Sequence, residues 1–446
     1  MRKTEYFSQS ADNHQRDFLM PTLPVLILNS GSSSIKFSLY EAGAGERRKL
    51  YEGAVDGIGT DQGKFWIKDA DGKKLVDQSP ALPSRSVAFK LVADVLNSGD
   101  FVRPKAIGHR MVCAAPTLQN NLRVTPELIE EMERYKDLAP LHTPIGAYIM
   151  REALELFPGV PNFACSDSYF HRTMPQVATH MPIPSEYADM GVRRVGFHGI
   201  SYESIVTQLQ PDVPERLIVA HLGNGASISA IRNGRCIDTS MGLTPTGGII
   251  SGTRTGDVDP GLLLFILRKI AEGASSSKEA ADQLEAVVNK RAGLLGVSGL
   301  SNDMRVLRAA VVAGNEKARL AVDKFTWMIV KSIGSYFAEL GGLDMLVFTG
   351  GIGENDTATR EEICAGLGAL GIVLDPARNH ARGMAVISAE DSPVTVRVIP
   401  PAEDLIIVNH VVRMLSEESG SLADLEQAES HVGELEAVAV TGCEIR

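Results

Sequence analysis

The chain is poor in every feature that would mark a disulfide scaffold, a membrane protein or a nucleic-acid binder. Its five cysteines, Cys113, Cys165, Cys236, Cys364 and Cys443, are scattered, odd in number and free of C-x-x-C spacing. That excludes a disulfide framework or a zinc ribbon and predicts reduced thiols. No run approaches the roughly 18 consecutive apolar residues that a membrane span requires. Residues Met1 to Asp17 are polar and lack the apolar core of a secretory signal, so a cytoplasmic location is the expectation. Basic residues are outnumbered, 44 Lys+Arg against 55 Asp+Glu, and form no block or stripe, which argues against nucleic acid. The histidines lack the H-x-x-H or H-x-x-x-H spacing of a zinc site.

What is present is ordinary for a globular protein: 44% hydrophobic and 22% charged residues. At about 150 residues per domain, 446 residues predict two or three domains. The acidity is local. Residues 415–446 carry eight acids and one base, a net of −7 out of the total −11, and read as a solvated acidic extension. Residues 1–21, whose charges cancel and show no apolar periodicity, read as a disordered N-terminal extension.

The body begins at Leu23. Val25-Leu26-Ile27-Leu28 has the length of a buried strand, Asn29 to Ser34 is a hydroxyl-rich turn, and Ile35, Phe37 and Leu39 then alternate with polar residues as a second strand. The unit returns about 190 residues later: Leu217-Ile218-Val219-Ala220, the small-residue tip His221 to Ser227, and an alternating strand to Ile231. Asn233-Gly234 then signals a tight hairpin turn. A repeated hairpin predicts two related α/β domains. Amphipathic helices are predicted over Pro126 to Leu138 and Glu316 to Leu340. A third glycine tip, Thr349 to Asn355, leaves the strand Met345 to Phe348 and precedes a helix starting near Thr357.

Three Gly- or Ser-rich tips at strand ends suit phosphate, because small residues let backbone N–H groups approach its oxygens, and Lys36 adds a point charge. None has the spacing G-x-x-x-x-G-K-[ST] or G-x-G-x-x-G, so neither a P-loop nor a Rossmann site is read. Arg110 in Gly108-His109-Arg110-Met111-Val112, after a predicted strand, and Arg254 between Gly252 and Gly256 suit bidentate capture of a carboxylate or a transferring phosphoryl group; the alternative is a structural ion pair. His142, His198 and His221 stand in similar glycine, proline or apolar contexts. Asp167 could bind Mg²⁺, orient a ligand or cap a helix, while Asn29 and Glu403 are hard oxygen donors of the kind Mg²⁺ accepts.

Taken in order, Leu28 to Lys36, Gly108-His109-Arg110, Leu138 to His142, Gly196 to Gly199, His221 to Ser227, Asp238 to Gly242, Gly252 to Asp257 and Phe348 to Asn355 resemble the acetate kinase family, over about residues 23 to 414. The resemblance implies a duplicated ribonuclease H-like (actin-like ATPase) fold, within the superfamily of acetate and sugar kinases, heat-shock ATPases and actin, with a cleft between its two domains. It places an N-terminal domain at 22–172, completed by about 400–414, and a C-terminal nucleotide-binding domain at 173–399. It implies reversible transfer of phosphate from Mg-ATP (Mn²⁺ in place of Mg²⁺ being compatible) to a short-chain carboxylate, in a homodimer.

By the same resemblance, Arg110 holds the substrate carboxylate, Arg254 and His198 stabilise the transition state, and Asp167 and His142 are catalytic. Asn29 and Glu403 hold Mg²⁺, and Lys36 touches phosphate. His221-Leu222-Gly223-Asn224-Gly225, Asp303-Met304-Arg305 and Gly351-Ile352-Gly353-Glu354-Asn355 are nucleotide loops. Val112, Leu141, Phe197 and Pro245 form the acyl pocket. Cys113-Ala114-Ala115 stands where the family usually has His-Gly-Gly, and Thr246-Gly247-Gly248 where it has Leu-Glu-Gly. Both departures border that pocket, so the pattern does not rank acetate, propionate and butyrate. A carboxylate is already ionised at pH 7, so no general base is needed and Asp167 reads better as a group that orients Mg²⁺ or an arginine. Rival readings are a sugar or polyol kinase, a nucleotide switch without a small-acid substrate, and a kinase using pyrophosphate as donor.

Overall fold

The computed structural model describes residues 22–419 apart from Ser32, Ala44 and Arg382. The expectations for residues 1–21, for Ser32 in the first tip and for 420–446 of the acidic extension lie outside the described residues.

The first strands in chain order are β1 (Leu23–Ser30), β2 (Ser34–Ala42), β3 (Arg47–Asp56), β4 (Lys64–Asp69), β5 (Lys74–Gln78), β6 (Ala106–Met111), β7 (Leu122–Arg123) and β8 (Asn162–Ser166). Among the described residues they form one eight-stranded sheet in the order β5-β4-β3-β2-β1-β6-β8-β7. The later strands are β9 (Arg216–Leu222), β10 (Ala226–Arg232), β11 (Arg235–Thr239), β12 (Met345–Thr349), β13 (Ala385–Val386) and β14 (Thr395–Val398). They form a six-stranded sheet in the order β11-β10-β9-β12-β14-β13.

The duplication is plain in these orders. In each sheet an antiparallel three-strand meander (β3-β2-β1, β11-β10-β9) continues into two parallel strands (β6-β8, β12-β14). The chain thus has two actin-like ATPase-type α/β domains. Parallel strands need coverage on both faces. The helices Arg85–Leu96 and Thr143–Leu156 cover one side of the first sheet, and the final helix Glu403–Ser419 the other. On the second sheet the helix Glu316–Leu340 lies on one side and Gly199–Gln208 on the other. Glu316–Leu340 shows how the sequence does this. Asn315 caps it by accepting from the Ala318 N–H at 2.9 Å, and Gly341 ends it at φ +70°. Ala318, Val322, Phe325, Ile329, Ile333, Tyr336 and Leu340 recur at helical spacing on its buried face. Burying Phe325 alone stabilises by roughly 1.5–3 kcal/mol.

Several local expectations are corrected. Gly108 to Met111 do not follow a strand but are β6 itself. The third glycine tip is a helix, Gly350–Asn355, entered directly from β12 through Gly350 at φ +77°. A Cβ on Gly350 would lie 2.8 Å from the Leu222 carbonyl oxygen, so the entry admits no side chain. The strand after His221 to Ser227 does not alternate: Ala226 to Ile231 are all buried, because helices pack on both faces. The predicted helix over Pro126 to Leu138 divides at Tyr135 into Pro126–Arg134 and the 3₁₀ turn Lys136–Leu138. Residues 415–419, assigned to the acidic extension, are the last turn of Glu403–Ser419, where Leu415 is buried and Glu418 pairs with Arg123.

Candidate active site

Functional side chains collect at the carboxyl ends of β1, β6, β8, β9 and β12, where open α/β sheets place their ligands. Arg110 in β6 lies opposite Cys165 in parallel β8, so Asp167, the second residue beyond Cys165, rises beside it. Arg110 donates from Nε and Nη2 to the Asp167 carboxylate at 3.3 and 3.1 Å, and its Nη1 lies 3.6 Å from Glu403. The same carboxylate accepts the His198 backbone N–H at 2.8 Å. That bond fixes a backbone bend, since His198 sits at φ +59°, a left-handed conformation that costs a non-glycine residue about 1 kcal/mol or more. Burial alone would raise the Asp167 pKa, but the charge and hydrogen bonds of Arg110 with the His198 N–H hold it below the ordinary value. Burial also raises Glu403, against the pull of Arg110. Asp167 therefore does not cap a helix of its own; it anchors an arginine and a loop.

Arg254 donates from Nη2 to His142 Nε2 at 2.8 Å. Arginine has no acceptor, so the lone pair of His142 Nε2 faces it and the His142 proton is on Nδ1. Burial first, then the charges of Arg254 and Arg110, push the His142 pKa down to about 4. His198 lies well below the usual imidazole value and His221 at about 4, in each case mainly through burial. The two rings stack with centroids 4.2 Å apart. A Cβ placed on Gly225 would lie 3.3 Å from His198 Nε2 and 3.4 Å from Arg254 Nη1, so these groups converge beside that glycine.

They line a cavity of about 470 Å³ with Asn29, Lys36, Arg110, His142, Asp167 and His221 on its polar wall and Val112, Phe197 and Pro245 on its apolar one. The β1–β2 register puts Asn29 directly opposite Lys36. A larger cavity of about 850 Å³ is lined by Asp303, Met304, Arg305, Gly351, Ile352 and Asn355. Gly223 and Asn224 line both, so the two spaces meet at the second tip. Glu403 lines an adjoining cleft with Asn29, Lys36 and Glu354.

Three expected residues stand apart. Leu141 faces a separate small hollow with Pro245 and Arg254, outside the 470 Å³ cavity. Leu222 points into the core, leaving only its backbone toward the tip. Gly353 is buried, its carbonyl accepting from Arg360 at 2.8 Å. One family departure stands behind the wall, since Cys113, Ala114 and Ala115 are buried and Ala114 packs with Phe197, whereas Thr246 of the other is half-buried and faces the same small hollow as Leu141.

Other lining residues were not read from the sequence. Ser30 lines the smaller cavity with a buried hydroxyl that finds no partner among the described residues. Asn302 donates to the Asn224 side chain at 3.0 Å, and Arg308 is held by Asp356, Thr359 and Glu362. Adjacency to Asp303 was the one available signal for Asn302. Nothing in the spacing joins Arg308 to its partners.

Among the described residues no three His, Cys, Asp or Glu side chains form a self-sufficient metal cage. Asn29, Glu403 and the unpartnered Ser30 hydroxyl fit instead a hard cation that keeps most of its water and arrives with phosphate. Comparison with known proteins shows the family. The acetokinase family model matches residues 24–409. The acetate kinase of Phocaeicola vulgatus is 40% identical over 407 residues, covering 88% of this chain and 100% of its own. That of Geobacillus sp. (strain WCH70) is 39% identical over 401 residues, 87% of this chain and 98% of its own. Among solved structures, the acetate kinase of Porphyromonas gingivalis superposes with a TM-score of 0.75 at 37% identity, covering 88% of this chain and 100% of that one. A propionate kinase from Francisella tularensis gives 0.78 at 33% identity, over 86% and 98%. With two hairpin-opened sheets, paired arginines and joined cavities in the matching stretch, the chain belongs to the acetokinase family.

Proposed function

We propose that the 470 Å³ cavity takes acetate or propionate, that the 850 Å³ cavity takes ATP, and that the γ-phosphoryl group passes between them beside Gly225. The carrying observation is that Gly223 and Asn224 wall both spaces while Arg254 and His198 converge at their junction. As a member of its family the chain phosphorylates a short-chain carboxylate with ATP, giving an acyl phosphate and ADP; the larger cavity suits a whole nucleotide better than pyrophosphate.

Attack needs no base, because the acid is already a carboxylate. The difficulty is bringing an anion to a phosphate. Arg110, braced by Asp167, holds the substrate carboxylate, and Val112, Phe197 and Pro245 hold its alkyl group. Arg254, braced by His142, and His198 stabilise the charge of the transferring group; one such preorganised donor is worth about 10²–10³ in rate. Lys36 and the Gly223-to-Gly225 and Gly351-to-Asn355 backbones hold the other phosphates, and Asn29 and Glu403 would hold Mg²⁺, which neutralises phosphate charge when bound. Closure of the body 22–172 with the final helix against the body 173–399 would exclude water and limit ATP hydrolysis.

We place the protein in the cytoplasm as a homodimer. Cys113, Cys165, Cys236 and Cys364 are free and buried, and no helix of the described residues is long and apolar enough to cross a membrane. The helix Pro260–Ala271 buries none of its residues, and Leu264 and Phe265 are 54% and 57% exposed. A second copy would cover that face. Phe265→Asp should sediment as a monomer where the parent sediments as a dimer; a parent that stays monomeric at micromolar concentration sinks this reading.

The function is tested by trapping acyl phosphate as hydroxamate from ATP with acetate, propionate, butyrate and glycerol in parallel, with and without Mg²⁺ or Mn²⁺. Signal is expected from the acids, dependent on the cation and absent with glycerol. ATP binding without acyl phosphate from any acid overturns it, and turnover of glycerol would indicate a polyol kinase.

A further inference from the structure

The first turn of the helix Gly199–Gln208 carries two buried hydroxyls that the mechanism above leaves unused. Ser201 Oγ lies 2.8 Å from His221 Nδ1. Tyr202 OH bonds Ser227 Oγ, which in turn lies 2.8 Å from His198 Nδ1. Ser227 stands opposite His221 in the β9–β10 register, so both chains of bonds end on the two stacked rings. Ser201, Tyr202 and Ser227 are wholly buried.

Donor counting then fixes the protons. Among the described residues the Tyr202 hydroxyl bonds Ser227 Oγ and nothing else, so its hydrogen goes there, since a buried donor is not left unpaired. Ser227 has spent one lone pair accepting it, and its own hydrogen is directed to His198 Nδ1. Ser201 has His221 Nδ1 as the acceptor for its hydrogen by the same count. Both rings are held neutral, principally by burial, so each carries its single proton on the other nitrogen. The opposite polarity would strand the Tyr202 hydrogen and aim a bare Nε2 lone pair at an incoming anion.

We propose that Tyr202, Ser227 and Ser201 are positioning residues that set the tautomers of His198 and His221, so that both stacked rings present Nε2–H donors to the phosphoryl site. The tautomers follow from the bonds alone, whereas their effect on rate rests on the role given to His198 above. His142, bonded to Arg254 through Nε2, holds the opposite tautomer; the site therefore contains neutral histidines of both kinds, each assigned by its neighbour.

The test uses the full chain with ¹⁵N-labelled imidazoles, read by long-range ¹H–¹⁵N correlation near pH 7.5 and assigned with single histidine replacements. His198 and His221 should show a protonated Nε2 and a bare Nδ1, and His142 the reverse. In Ser227→Ala the His198 nitrogens should move toward averaged values while His221 stays, and Ser201→Ala should do the converse. Ser227→Ala and Tyr202→Phe should lower kcat about 10- to 100-fold with KM for both substrates within about threefold, and Ser227→Thr should recover most of the loss. Tyr202→Phe keeps the ring that packs on Phe170 and His171, so it separates the hydroxyl from the core. A proton on His198 Nδ1 in the parent, or unchanged ring signals in Ser227→Ala, overturns the relay. Ring signals that move with kcat unchanged support the relay and overturn the phosphoryl role of His198.

Discussion

Arg110→Ala and Asp167→Asn are expected to be crippled to a similar degree, each losing about 10²–10³-fold in kcat/KM for the acid, with the double variant no worse than the poorer single one. The reason is that the two side chains act as one unit. Asp167 receives three hydrogen bonds, two from Arg110 and one from the His198 N–H, and one of its oxygens takes two of them. An asparagine must turn its NH₂ toward at least one of those donors in either orientation, and it removes the charge that holds the guanidinium. Arg110 would then be left to Glu403 at 3.6 Å, on the other side of the cation, and would swing away from the acid. Had Asp167 served as an independent base, its loss would multiply with that of Arg110. Multiplicative losses in the double-variant cycle would therefore refute the bracing role. Breaking a buried pair from one side costs about 3–5 kcal/mol, so Asp167→Asn should also melt several degrees lower, and kinetics must be taken below that melting range.

Much of this arrangement was legible in the sequence, for physical reasons. The repeated hairpins could be read because buried strands leave apolar runs and because tips that approach phosphate exclude large side chains. Arg254 and His198 stood out because glycines flank them, and Arg110 because Gly108 stands two residues before it in an apolar stretch; a glycine near a cation implies close packing around a charge. Other features could not be read. The helix Gly350–Asn355 looks like a loop because three of its first four residues are glycines, poor helix formers whose helicity comes from tertiary packing. Leu141 stands one residue before His142 and looked equivalent to the other pocket residues; the direction of its side chain, set by the turn before Thr143, put it in a different hollow. The Tyr202–Ser227–His198 chain spans elements that meet only after folding, and a serine or a tyrosine inside an apolar stretch carries no mark of the partner it will find. Pairwise local chemistry was therefore visible, whereas the bracing of one functional group by another was not.

That bracing has an acid-sensitive consequence: stability should collapse between about pH 7 and pH 4. Burial, the largest cause in each case, pushes His109, His142, His171 and His221 down to about 4, and holds His198 well below the ordinary imidazole value. In the unfolded chain each titrates near 6.5. Below that value the unfolded chain takes up protons that the native protein refuses, so stability is full above about pH 7, falls as pH drops toward 4 and levels off below. Each histidine contributes on the order of 1–3 kcal/mol to that fall, and together they rival the about 5–15 kcal/mol by which domains are stable at all. Glu403 and Asp404, raised by burial, act in the opposite sense and recover some stability as they protonate, while Asp167, held low by Arg110, adds to the loss only at the acid end. Thermal melts from pH 8 to pH 4.5 should show a steep drop in Tm beginning near pH 6.5, with proton uptake on unfolding at pH 5; a Tm that is flat down to pH 5 would refute this. Saturating ATP with a carboxylate brings negative charge beside His142, His198 and His221, which raises their native pKa values toward the unfolded one and should make the drop shallower. His171, whose ring bonds Cys236 and the Phe197 carbonyl away from either cavity, should keep its share of the acid sensitivity in the liganded protein.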